Sequence, residues 1–152
     1  RDYTVELVRE LYDLGFDEVV LADVRHPTLD IGVNVTYTRN MSTTPSPVNA
    51  VCGFALSVAE QLRDRPGKLS IYCDSAPALV RPDAATGQDA VLFMKLFDRV
   101  YYRTDKFAYP YNVTDIENNV EIGNVRDRLV PVVENYLPDN DSWVLVDVPE
   151  EE

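Results

Sequence analysis

Gly15-Phe16-Asp17-Glu18-Val19-Val20-Leu21-Ala22-Asp23-Val24-Arg25-His26-Pro27 is the stretch that decides how this chain folds. Its glycine can end a helix in a left-handed cap. The apolar run from Val19 to Ala22 has the length of a strand buried on both faces of a sheet. Charge follows at once in Asp23, Arg25 and His26, and Pro27 cannot continue a sheet ladder. Helix, glycine, buried strand and polar exit is the grammar of a βα protein. In such folds the carboxyl ends of the strands carry the chemistry.

Upstream of this stretch, residues 3–14 read as a helix, with Leu7, Val8, Leu11 and Leu14 on one face. Downstream, residues 28–44 form a long polar segment with an alternating patch at 32–37. A connection of that length is usually functional or mobile. Ser46-Pro47 then has the form of a helix start, a capping serine with proline at the first helical position. Val51, Phe54, Ala55, Val58 and Leu62 supply its apolar stripe. Residues 69–73 predict a second buried strand with Asp74 and Ser75 at its exit, and 76–85 a loop. Thr86-Gly87-Gln88-Asp89 predicts a helix entry, with Asp89 at a capping-box position and Val91, Phe93, Met94 and Phe97 facing inward. Residues 99–103 predict a third strand and 104–119 a second long loop bearing Phe107, Tyr109 and Tyr111. A helix is expected over about 120–136, kinked at Pro131, and a last strand over 142–148 with Asp147 near its end. The expected fold is α/β, with four mainly parallel strands and connecting helices. It forms one domain over 1–149, followed by a disordered acidic tail at 150–152.

Composition narrows the function. Hydrophobic residues make 45% of the 152, enough for a folded core rather than disorder. A net charge of −12 repels a phosphate backbone, so nucleic acid is a poor partner. No apolar run approaches the ~20 residues of a membrane span. The chain starts at Arg1 with no visible signal peptide, the pattern of a processed or excised piece. Its location stays open, and an extracytoplasmic or cell-envelope setting is compatible with it. Asn34, Asn40, Asn112 and Asn140 head glycosylation sequons, which matter only in a eukaryotic secretory protein. Cys52 and Cys73 lack metal-ligand spacing and read as buried free thiols, with a disulfide as the alternative. There is no phosphate-binding glycine loop, no dinucleotide fingerprint and no nucleophile elbow. With one histidine and two distant cysteines, no zinc site and no cofactor are expected.

The opening stretch resembles the "GFDEIQFDYVRFP" signature of a glycosyl hydrolase family with a βα-barrel domain. Gly15, Phe16, Asp17, Glu18, Val24, Arg25 and Pro27 fall in register, and Val19 and Leu21 are apolar replacements. Gly87-Gln88-Asp89 matches that family's "GQD" entry, and Phe97-Asp98-Arg99-Val100 resembles its "yvDyi" strand. Two departures stand out. The acid before the signature aromatic falls on Ala22 and the aromatic on Asp23, and Tyr102-Arg103-Thr104-Asp105 replaces "PMxYP". The resemblance implies the carboxyl-terminal half of a βα (TIM-type) barrel. A full barrel typically needs ~250 residues, which leaves three arrangements open: an open four-stranded sheet covered by its own long loops, a pairing with a second copy, or a missing amino-terminal half.

By resemblance the function is carbohydrate-related, with an oligo- or polysaccharide as partner and hydrolysis weakened by the loss of the acid at Ala22. Hydrolysis of a glycoside needs two carboxyl groups in different protonation states. The acids expected at the strand exits are Asp23, Asp74 and Asp147. Arg25, Tyr101 and Arg103 are the expected substrate-binding residues, and Arg25 is expected to pair with a strand-end acid, Asp74 first. The competing reading is a non-catalytic structural or protein-interaction domain, since charges also gather at strand ends simply because strands end at solvent.

Overall fold

The structure is a computed structural model and describes residues 2–27, 46–105, 108–119, 121, 123–133 and 144–145. Its elements run α1 (Asp2–Asp13), β1 (Glu18–Leu21), α2 (Pro47–Gln61), β2 (Lys68–Cys73), α3 (Ala90–Leu96), β3 (Val100–Arg103), α4 (Tyr109–Asn119), α5 (Val125–Arg128), β4 (Leu129–Val133) and β5 (Val144–Leu145). A 3₁₀ turn covers Ala76–Leu79. The five strands form one sheet in the order β1-β2-β3-β4-β5, every pair parallel.

That order fixes where the helices lie. Parallel connections are right-handed as a rule, and each new strand is added on the same side of the last, so the described helices are expected on one face. The core bears this out. Leu21, Ile71, Cys73, Val100, Tyr102 and Leu129 from the strands share one buried cluster with Val5 and Val8 of α1, Val58 of α2, Phe93 of α3 and Ile116 of α4. Residues of the opposite strand parity, including Glu18, Val20, Ser70, Tyr72 and Tyr101, point to the other face. Among the described residues no helix packs there, and Val130 and Val132 are buried yet stand outside the helix-side core. A singly wound parallel sheet with one-sided helices is the arrangement of a partial βα barrel.

Several expectations hold at residue level. Ser46 caps α2, its hydroxyl accepting from the Asn49 amide at 3.2 Å, with Pro47 at the first helical position. Asp89 caps α3 by accepting from the Leu92 amide at 3.1 Å. Gly15 takes a positive φ of 94° at the end of α1.

Others are overturned. The buried face of α1 is Val5, Val8 and Tyr12, while Leu7 and Leu14 are exposed. The Tyr12 hydroxyl donates to the Lys68 carbonyl at 2.7 Å, so its ring leads the helix onto the sheet. β1 is buried on one face only, because Val20 lies on the helix-free side and is 40% exposed. The expected loop at 104–119 contains α4, whose polar surface conceals a short buried stripe, Val113 and Ile116. The kinked helix over 120–136 does not form. Instead α5 gives way to β4, all five of whose residues are buried. Leu129-Val130-Pro131-Val132-Val133 is an unbroken, mostly β-branched run, the mark of a central parallel strand. Pro131 lies inside it opposite Tyr102 of β3, and among the described residues the ladder to β5 involves Val132 and Val133. The sheet therefore has one strand more than the four expected. The expectations for 28–44, Phe107, Asp147 and the tail at 150–152 lie outside the described residues.

Candidate functional site

The exits of β1 and β2 carry the site. β1 ends at Leu21, and two residues on Asp23 takes a left-handed φ of 55°. Aspartate tolerates that region better than most residues. The turn breaks strand alternation, and the Arg25 amide donates back to the Asp23 carbonyl at 2.8 Å. Arg25 is thereby carried across toward β2. Its Nη1 lies 2.7 Å from Asp74 Oδ2 and its Nε 3.5 Å from Asp23 Oδ1. The Arg25 side chain is 41% exposed, that of Asp74 24% and that of Asp23 85%. The expected partner is thus the one found, but the pair is open to solvent rather than buried.

Behind the pair stands Gln88, 1% exposed and absent from the sequence-based set of site residues. Its Oε1 accepts from the amides of Asp74 at 3.2 Å and Ser75 at 3.1 Å. Its Nε2 donates to the carbonyls of Val24 at 3.3 Å and Tyr72 at 3.4 Å. One amide side chain therefore fastens the ends of two strands. The loop that presents it is itself pinned. Asp83 accepts from the Ser75 hydroxyl at 2.6 Å, the Thr86 hydroxyl at 2.7 Å and the Ala85 amide at 3.0 Å. These hydrogen bonds, that from Ser75 foremost, hold the Asp83 carboxyl at a pKa of about 2. The His26 amide donates to the Thr86 carbonyl at 2.6 Å. Gly87 has a φ of 77°, and a Cβ there would lie 2.4 Å from the Pro47 carbonyl oxygen, so the loop also abuts the start of α2. The available signal for Gln88 was its place in Gly87-Gln88-Asp89, where a helix cap turns the residue before it toward the strand ends.

The other expected site residues are dispersed. Tyr72, which is not among the expected residues, stands on the helix-free face within electrostatic reach of Arg103 and Asp74. Burial raises its phenol pKa despite the Arg103 charge. Arg103 is exposed at the end of β3. Tyr101 does not join the Arg25 pair; its hydroxyl donates to Glu18 Oε1 at 3.1 Å. The same oxygen accepts from the Ser70 hydroxyl at 2.6 Å, and Arg99 Nη1 reaches Glu18 Oε2 at 2.9 Å. This second cluster sits where β1 begins, the end of a βα barrel associated with stability rather than chemistry. His26 is half-buried, and its Nδ1 bonds the Pro27 carbonyl at 3.1 Å. Asp147 lies outside the described residues.

The site offers little to a metal or to covalent chemistry. Among the described residues no group of three or more His, Cys, Asp or Glu is placed to hold a metal ion. Cys52 and Cys73 are both free thiols. Burial pushes the Cys73 thiol up to about 12, far from a reactive thiolate at neutral pH. No helix among the described residues is long and apolar enough to cross a membrane.

A one-directional parallel sheet, helices on one face and polar side chains at the strand exits define the class: an α/β domain built as part of a βα barrel. No family model and no curated protein matches the sequence. Among solved structures, the chain is similar to the PgaB (BpsB) glycoside hydrolase domain from Bordetella bronchiseptica at 16% identity and a TM-score of 0.41. The match covers 57% of this chain and 27% of that one, so the chain spans about a quarter of its neighbour's length. The strand order and the one-sided helices, not this likeness, define the class.

Proposed function

We propose that this domain binds an oligo- or polysaccharide at the exits of β1 and β2, with glycosidase turnover weakened or absent. The observation that carries the reading is the solvent-open pair of Arg25 and Asp74, 2.7 Å apart in side chains 41% and 24% exposed. A guanidinium donates and a carboxylate accepts, and together they match the alternating donors and acceptors of neighbouring sugar hydroxyls. Tyr72 beside them offers a ring face, and Arg103 a second donor. The weakened chemistry follows from Ala22, which stands where the resembling signature has its acid. Asp23, the next residue, leaves the strand in a left-handed turn with its side chain 85% exposed. Asp23, Asp74 and Asp147 remain the acids assigned to any residual hydrolysis.

Titration calorimetry with β-linked oligosaccharides tests this. The expected result is binding by the parent, loss of it in Arg25→Ala at unchanged circular dichroism, and release of reducing sugar at background. Turnover by the parent that disappears in Asp74→Asn overturns the weakened chemistry. No heat with any glycan overturns the binding role.

A second reading, a protein-interaction domain, has one observation in its favour. A groove of about 520 Å³ lies at the β1 edge, lined by Leu7, Leu11, Val20 and Phe54 among others. Among the described residues β1 is hydrogen-bonded to β2 alone, and an open strand edge invites pairing. The occupant on this reading is a second copy of the chain. Sedimentation showing a dimer that Val20→Lys dissociates supports it, and a monomer at high concentration removes it.

A further inference from the structure

The strands themselves do not bring Arg25 and Asp74 together. Arg25 stands four residues beyond the end of β1, after a left-handed turn, and Asp74 follows β2 directly. No ladder hydrogen bond spans the gap between these exits, since the β1–β2 register ends at Leu21 and Ile71. The link at this level is Gln88. Among the described residues its amide is the one side chain that donates to the β1 side, at Val24, while accepting from the β2 side, at Asp74 and Ser75. We propose that Gln88 is the positioning residue of the rim, setting the spacing of the two exits so that the Arg25 guanidinium meets the Asp74 carboxylate. The inference rests on the proposed reading of this rim as a binding site, but its geometry stands independently of any ligand.

The chemistry of an amide is what the position requires. Two amide N–H groups face one atom and two carbonyl oxygens face the other, so the side chain must accept at one end and donate at the other. Methionine is similar in size and does neither. Glutamate in its ionised form accepts at both ends and sets an oxygen against the Val24 and Tyr72 carbonyls. Protonated glutamate restores a donor. Burial and the two carbonyls raise the pKa of such a carboxyl in the folded state, so Gln88→Glu is close to the parent in acid and deteriorates as pH rises. The titratable groups around the position are Cys73, Asp74, Asp83 and Asp89, with Arg25 across the exits. All are present in the parent, which serves as the control at each pH.

The experiment is a double-mutant cycle of Arg25→Ala and Asp74→Asn, read by thermal unfolding, in the parent and in two Gln88 backgrounds. The expected result is non-additivity of the two changes in the parent and its loss in Gln88→Met. In Gln88→Glu the coupling is expected at about pH 5, where free aspartate is already ionised, and lost at about pH 8. A merely structural glutamine lowers all melting temperatures but leaves the coupling intact, and that outcome overturns the proposal. So does equal coupling at both pH values in Gln88→Glu, which keeps the test decisive if Gln88→Met does not fold. The cycle uses no glycan, so a rim that binds no sugar defeats the functional reading without touching this one.

Discussion

Two ion pairs, one at each end of the strands, show how the same chemistry is put to different use. Where β1 begins, Glu18 meets Arg99 at 2.9 Å with side chains 19% and 29% exposed. Ser70 and Tyr101 donate to the same carboxylate, so strands β1, β2 and β3 are stitched at one point. At the exits, Arg25 meets Asp74 at 2.7 Å, but the guanidinium is 41% exposed and its second acid, Asp23, is almost wholly in solvent. In the first cluster one carboxylate accepts from three protein donors. The second leaves polar atoms facing outward, while the glutamine that holds it is buried. A cluster that stabilises turns its partners inward, and one that can take a ligand is supported from behind.

The largest expected effect separates the two pairs by stability. Glu18→Ala leaves the Arg99 charge and the fully buried Ser70 hydroxyl without their acceptor. Breaking such a part-buried pair is expected to cost about 3 kcal/mol in urea unfolding. Arg25→Ala, at an exposed pair, is expected to cost about 1 kcal/mol or less, below the cost of a buried pair, while abolishing glycan binding. Arg25→Lys should recover part of the binding only, because lysine lacks the planar fork. Equal losses of stability at the two sites would break the comparison.

Acid sharpens it next. Asp83 has its folded pKa lowered to about 2, so its stabilising contribution is complete above the unfolded value and fades as pH falls through the folded one. At the other end, burial pushes Asp98 upward, but hydrogen bonds from Arg65 and the Leu69 amide and the charges of Arg65 and Arg128 outweigh it and leave its pKa lowered. The parent should therefore lose stability between about pH 4 and pH 2. Asp83→Asn should flatten part of that slope in acid titrations followed by fluorescence. An unchanged slope would mean that the loop behind the exits does not depend on the ionised carboxylate.

The smallest effect concerns the thiols. With its pKa at about 12 and its side chain in the core beside Gln88, Cys73 should resist alkylation in the folded protein at pH 8. The thiol of Cys52 is only half-buried, with its pKa raised by burial and by Asp89, and should label first. Mass spectrometry of partially labelled protein gives the order. Labelling of Cys73 at the rate of Cys52 would show that the exits open readily and that the glutamine clamp is loose.

The sequence by itself determined the elements whose signals are local. The serine and proline at 46 and 47 and the aspartate at 89 announce their helices, because a cap is made by residues three apart. The runs at 69–73 and 99–103 are strands because apolar and aromatic residues dominate them, with Ser70 inside the first and Arg99 and Arg103 bounding the second. Even the acid that Arg25 would reach could be named, since both residues follow neighbouring strands of a one-directional sheet, although the turn at Asp23 was needed to carry Arg25 across. Tertiary structure decided the rest, wherever two local readings competed. Residues 129–133 could serve helix or strand until two neighbouring strands, β3 and β5, supplied a sheet for them to enter. The face that α1 buries was set by Tyr12 finding the Lys68 carbonyl, 56 residues away, and not by its count of leucines. Gln88 looked like one polar residue among several in a loop. Only folding put its amide between four main-chain groups of two strand ends, where leaving them without partners is costly.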